Sequence, residues 1–263
     1  MITFFIICLI VGACVGFFAG LFGIGGGIIV VPLMVYLLPI VNVPDPLLMS
    51  TALGTSFATI VITGFSSAQT HYKLGNIEWK VLKVFTPILM LTTYVAGYFI
   101  SNLDKSLSSK LFAVLVIYLA IKMIMSIKKE TALKPFSTLS SIIGGVLIGI
   151  AASIAGIGGG GFIVPFLNSR GIEMKKAIGS SALCGMLLSF SGMISYIQSG
   201  WFVENMPNYT LGYIYLPAVL GITLTSFFTS KLGAKATTKL PVASLKRYFA
   251  LLLIIIAINM LLK

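Results

Sequence analysis

Carboxylates are scarce in this sequence. Six aspartates and glutamates face 18 lysines and arginines across 263 residues. Asp45, Glu78, Asp104, Glu130, Glu173 and Glu204 all fall in loops or at the ends of apolar segments. None lies mid-segment, so the usual carboxylate of an intramembrane proton relay or cation site is missing, and a cation carrier is disfavoured. His71 is the single histidine. One imidazole makes no metal cluster and only a weak argument for pH sensing. Cys8, Cys14 and Cys184 sit in apolar segments without the spacing of a metal site or a disulfide framework, and read as small buried hydrophobes. No Ser-His-Asp set is visible. No catalytic, metal or cofactor site is therefore expected, and no enzyme. The apolar first 20 residues lack a basic leader, so they read as a first helix rather than a cleaved signal peptide.

What fills the sequence is hydrocarbon. Hydrophobic residues make up 58% and charged residues 9%, with a mean hydropathy of +1.07. A soluble domain carries about a quarter charged residues. The apolar runs approach 20 residues, the length of a membrane-spanning helix rather than of a barrel strand. The composition predicts an all-α integral membrane protein in the lipid bilayer. Ten apolar segments are expected, at 2–22, 26–40, 48–70, 81–100 and 109–127, then 138–156, 160–168, 176–198, 211–230 and 246–262. The net charge of +12 sits in short loops, where it signals orientation and not nucleic acid.

The ten segments are two sets of five. Gly23-Ile-Gly25-Gly26-Gly27, followed by Val31-Pro32, returns 133 positions later as Gly156-Ile-Gly158-Gly159-Gly160 with Val164-Pro165. Gly12 and Gly16 likewise return as Gly145 and Gly149. At an offset of 125, Gly54-Thr55-Ser56 matches Gly179-Ser180-Ser181, Phe65-Ser66 matches Phe190-Ser191, and Gly75 matches Gly200. Such a register indicates duplication. The expected division is an N-terminal repeat at 1–127, a basic cytoplasmic linker at 128–137, and a C-terminal repeat at 138–263.

The basic residues predict how the repeats face. In each half the second segment is too short to span, since a span needs about 20 residues. If segments one and two return as a hairpin, fifteen of the 18 basic residues fall on one side. If they form one broken span, the split is near even. The positive-inside rule selects the hairpin. That model makes the second repeat inverted, puts both termini outside, and gives each repeat a glycine-broken, re-entrant hairpin plus three transmembrane helices.

Three consecutive glycines are poor helix interior. A broken backbone survives in hydrocarbon only where protein or a wet cavity satisfies it. Two such breaks in equivalent places mark a carrier's binding site near the midplane. Gly25, Gly26, Gly27, Gly158, Gly159 and Gly160 are therefore candidate substrate contacts, because helix N-termini starting there favour an anion. Close helix packing is the plainer reading of any one glycine. Thr55, Ser56, Ser180 and Ser181 are candidate donors to a substrate oxygen, with hydroxyls bonding back to their own helix as the alternative. Gly54 and Gly179 would admit close approach. Pro32 and Pro165 would shape the short helices or free a carbonyl. Ser66, Ser67, Gln69, Thr70 and His71, with Ser191, Ser195 and Gln198, line a path or cap an interface.

With these motifs, nearly the whole chain resembles the sulfite exporter TauE/SafE family of membrane permeases. The resemblance implies a transporter in the cytoplasmic membrane, an exporter of small sulfur-containing anions such as sulfite or organosulfonates; two repeats meeting at a midplane site would work by alternating access. An anion channel, or a permease for a non-sulfur organic anion, is the alternative. The expected partners are the small anion and the bilayer. A homo-oligomer is left open.

Overall fold

A computed structural model describes residues 2–23, 25–125 and 137–236, with Ile254 and Ile258. Most of the expected linker and of the last segment, including Arg247–Ala250, lies outside the described residues. The helices are α1 (Ile2–Phe22), α2 (Gly27–Leu37), α3 (Leu48–Lys73), α4 (Trp79–Ile100), α5 (Lys105–Met125), α6 (Thr138–Ala155), α7 (Gly160–Ser169), α8 (Met174–Gly200) and α9 (Leu216–Ala236). Among the described residues, five stretches are long and apolar enough to cross a membrane: Ile2–Phe22, Asp45–Lys73, Leu82–Ile100, Thr138–Ala155 and Met174–Gly200. The chain is an all-α membrane protein. Helices α5 and α9 have the length, 21 residues each, but fall outside that set.

Some expected boundaries move: the segment expected at 109–127 begins at Lys105, and that expected at 211–230 runs on to Ala236. The segment expected at 211–230 begins as a small hairpin, β1 (Thr210–Leu211) paired antiparallel with β2 (Ile214–Tyr215). Tyr209 and Gly212 take positive φ, at 68° and 56°. These turns fold the chain back on itself before a helix can start. Pro217 then stands in the first turn of α9, where its missing N–H costs nothing.

Small residues set the helix pairing. Helix α1 lies along α9 through Gly12, Gly16 and Gly20. Gly12 faces Ile222 and Thr225, Gly16 faces Ser226 and Thr229, and Gly20 faces the Ser230 carbonyl. Both sets of numbers rise together, so the two helices are parallel. Helix α6 repeats this on α4, with Gly145 against Ile88, Gly149 against Thr92, and the Ser153 hydroxyl donating to the Thr93 carbonyl at 3.1 Å. Such seams let backbones approach closely, which is how helices associate where lipid offers no hydrophobic contrast. A Cβ on Gly16 would lie 2.5 Å from the Ser226 carbonyl oxygen. Gly16→Leu is accordingly expected to cost about 3 kcal/mol and to lower the melting midpoint in detergent by several degrees. An unchanged midpoint would mean that this seam does not hold the fold.

The central pair is α3 with α8, and it is antiparallel. Gly64 abuts Met186, Phe57 abuts Gly192, and Gly54 abuts Tyr196. Helix α9 runs parallel to α3, with Thr63 and Ser226 hydroxyls 2.6 Å apart and Ser66 donating to the Phe227 carbonyl at 2.5 Å. Helix α4 runs parallel to α8, with Ser191 donating to the Met90 carbonyl at 2.6 Å and Ser195 to that of Tyr94 at 2.9 Å. Helices α1, α3 and α9 thus point one way, and α4, α6 and α8 the other. Because α1 and α3 agree in direction, the stretch between them carries the chain back to the end where α1 began.

Candidate functional site

The two glycine breaks touch. A Cβ on Gly27 would lie 2.1 Å from the Gly156 carbonyl oxygen, and one on Gly25 would lie 3.4 Å from the Gly158 Cα. Main chain meets main chain, which only glycine allows. Gly27 sits beside Ser56 and Ile60 of α3, and Gly159 beside Leu188 of α8. Both short helices therefore start near mid-length of the two long central ones. At 1.5 Å per residue, α2 with 11 residues and α7 with 10 are each about 15 Å long. That is half of a hydrocarbon core of about 30 Å.

The starts of α2 and α7 are built alike. Gly26 precedes α2 with φ 82° and Gly159 precedes α7 with φ 67°. An ordinary side chain would strain in that left-handed conformation. No side chain caps either end. The Ile29 and Phe162 N–H groups turn back to the Gly26 and Gly159 carbonyls at 3.1 and 2.9 Å; the first two N–H groups of each helix have no carbonyl of their own helix to meet, and the helix dipole adds positive potential there. Pro32 and Pro165 lie inside these helices, and each removes the N–H that would reach back four residues.

Thr55, Ser56, Ser180 and Ser181 are fully buried, and each hydroxyl is engaged with the opposite half of the chain. Ser56 donates to the Gly156 carbonyl at 2.7 Å, and Ser181 to the Gly23 carbonyl at 3.1 Å. Thr55 accepts from the Tyr215 N–H at 3.0 Å, and Ser180 from the Glu78 N–H at 2.8 Å. Gly54 lies under the Tyr213 carbonyl and Gly179 under that of Asn76. The bonds come in matched pairs. In each half, the Gly-Thr/Ser-Ser triplet receives the other half's first-helix terminus and the lead-in to its fourth helix. In this conformation these hydroxyls hold the glycine breaks in place and face one another's backbone. The polar residues further along α3 and α8 do similar work. Ser66, Ser191 and Ser195 donate to carbonyls of α9 and α4. Gln198 accepts from the Tyr94 hydroxyl, and His71 meets the Gly20 carbonyl at 3.3 Å.

Beside the meeting point is a crevice walled by Ala19, Gly23, Gly25, Ile60, Gly64, Ser67, Ala182, Gly185 and Met186. It is narrow: no water-sized space remains within it. Ile60, Gly64, Ala182, Gly185 and Met186 carry no signal in the sequence beyond lying in apolar helices. Gly64 and Gly185 are not raised by the duplication either, since Ser189 and Ile60 stand at their equivalent positions.

The family model for the sulfite exporter TauE/SafE matches residues 8–260. The chain belongs to the TauE/SafE family. A probable membrane transporter protein of Haemophilus influenzae is 66% identical over 264 residues, covering all of both chains. Another from Methanocaldococcus jannaschii is 32% identical, covering 97% of this chain and 94% of its own. A third, from Bacillus subtilis, is 30% identical over 88% and 89% of the two chains. No solved structure matches. Membership makes the chain a membrane transporter of the TauE/SafE type. The paired glycine breaks are the feature of this TauE/SafE chain that most needs a functional account.

Proposed function

We propose that this protein is a secondary transporter that exports a small sulfur-containing anion, such as sulfite or an organosulfonate, across the cytoplasmic membrane. The observation that carries the reading is the meeting of two uncapped helix starts at mid-length of α3 and α8. Paired N-termini with no acid beside them suit an anion. The crevice walls are apolar or neutral.

The architecture proposed is two inverted repeats, 1–127 and 138–263, joined by the cytoplasmic linker 128–137. The opposed directions of α1 and α6, of α3 and α8, and of α4 and α9 support it. So does the return of the chain between α1 and α3, which makes α2 a re-entrant half-helix. Lys73, Lys80, Arg170, Lys175, Lys176, Lys231 and Lys235 gather at the end where α3 finishes and α8 starts. The positive-inside rule makes that end cytoplasmic, and both termini then lie outside. A crevice too narrow for water supports alternating access over an open pore. Rocking of one half against the other would open it.

The main chain at Gly25–Gly27 and Gly158–Gly160 is the proposed anion contact. Thr55, Ser56, Ser180 and Ser181 would take part as the cross-bonds described above exchange during rocking. Saturating sulfite, thiosulfate or sulfoacetate is expected to raise the melting midpoint of the purified protein. At 100 times Kd the gain is about 2.7 kcal/mol. Stabilisation by monovalent cations instead of these anions would overturn the substrate class.

A further inference from the structure

We infer that Ser67 is a substrate-binding hydroxyl, and that it donates to an oxygen of the transported anion inside the crevice beside the glycine breaks. This rests on the anion reading above.

The four hydroxyls of the Gly-Thr/Ser-Ser triplets are occupied by backbone partners. Ser67 is different. It is 1% exposed and its Oγ has no hydrogen-bond partner. A buried hydroxyl left unmatched costs free energy, so an unmatched one calls for an explanation. It lines the same crevice as Gly23 and Gly25, the residues that lead into the α2 start. A bare helix start and an unused O–H on one wall set are both donors. With no carboxylate among the walls, the ligand they fit is a small oxyanion. The crevice is too narrow for water as it stands, so the hydroxyl is reached only when the walls part.

The duplication sharpens the assignment. At an offset of 125, Ser67 corresponds to Gly192, and Ala182 of the crevice wall corresponds to Phe57. The Phe57 ring lies 3.1 Å from where a Gly192 Cβ would stand. The equivalent position in the other half is thus filled by an aromatic ring and carries no hydroxyl. The crevice with Ser67 lies on the side of the glycine meeting nearer the basic end of the bundle. An exporter loads its anion from that end.

The test is affinity, read from the sulfite, thiosulfate and sulfoacetate dependence of melting of the full chain in detergent. Ser67→Ala is expected to weaken the apparent Kd about tenfold or more, as loss of a bond to a charged group does. Its ligand-free midpoint should equal or exceed that of the wild type, because no protein bond is lost. Ser189 is equally buried and unmatched but is not a crevice wall, so Ser189→Ala should leave Kd unchanged. Wild-type affinity in Ser67→Ala, equal losses in both variants, or a lowered ligand-free midpoint in Ser67→Ala would each overturn the assignment while leaving the anion reading intact. A wild-type protein that responds to none of the three anions would overturn the anion reading, and this inference with it.

Discussion

Gly27→Leu is expected to abolish transport. Even the first carbon of a side chain there would lie 2.1 Å from the Gly156 carbonyl oxygen and 2.8 Å from the Ser56 hydroxyl. The carbonyl cannot swing away, and the Ser56 hydroxyl can do so only by giving up its bond to it. The carbonyl belongs to the turn that ends α6, and it is also the acceptor for Ser56. Relief requires the two glycine breaks to separate, which undoes the feature that makes the site. The overpacking costs about 3 kcal/mol if the surroundings yield, and more where the obstacle is backbone. Gly161→Ala is the matched comparison. It lies at the second position of α7, and its Cβ would meet only the Leu119 side chain, at 3.2 Å. That leucine end can shift, so transport near wild type is expected. Flux into proteoliposomes, normalised to protein recovered in the membrane, reads both. Normal flux in Gly27→Leu would mean that the breaks do not meet in the working protein. The anion site proposed at their junction would then have no basis.

The contrast between these two glycines shows what the sequence could and could not convey. The duplicated triplet located the break and the start of each short helix, because glycine takes that left-handed backbone without strain and lets main chain meet main chain. Loop charge gave an expectation of opposed repeats before any packing was known. It did so because equivalent loops at 71–80 and 199–210 differ in their lysines. The roles of the hydroxyls were not legible. Ser56 and Ser67 sit in one helix and carry the same group. What separates them is which backbone lies opposite: the Gly156 carbonyl for Ser56, and no acceptor for Ser67. That depends on α1 seating on α9 and α6 on α4, contacts between residues far apart in the chain. The hairpin at 210–215 was hidden for a related reason. Its two-residue strands are too short for an alternating pattern, and what fixes them is contact with Tyr196 and Thr55.

A covalent bond between α3 and α8 should stop the protein reversibly. A Cβ on Gly64 would lie 3.2 Å from the Met186 Cβ. Disulfides span about 3.5–4.5 Å between Cβ atoms, so a bridge needs a shift of a few tenths of an ångström. Gly64→Cys with Met186→Cys, in a chain whose Cys8, Cys14 and Cys184 are replaced by alanine, places the bridge across the central antiparallel pair. One helix comes from each half, and both residues wall the crevice. If transport proceeds by rocking one half against the other, these helices must change their mutual position, and the bridge forbids it. Flux in the oxidised variant should fall at least tenfold and return on reduction. The reduced variant carries the same side chains, so comparison with it separates the bond from the substitutions. Full flux with the bridge formed would mean that α3 and α8 stay fixed to each other throughout the cycle. The moving parts would then lie elsewhere, with the half-helices α2 and α7 sliding against a rigid central pair as the arrangement left to test.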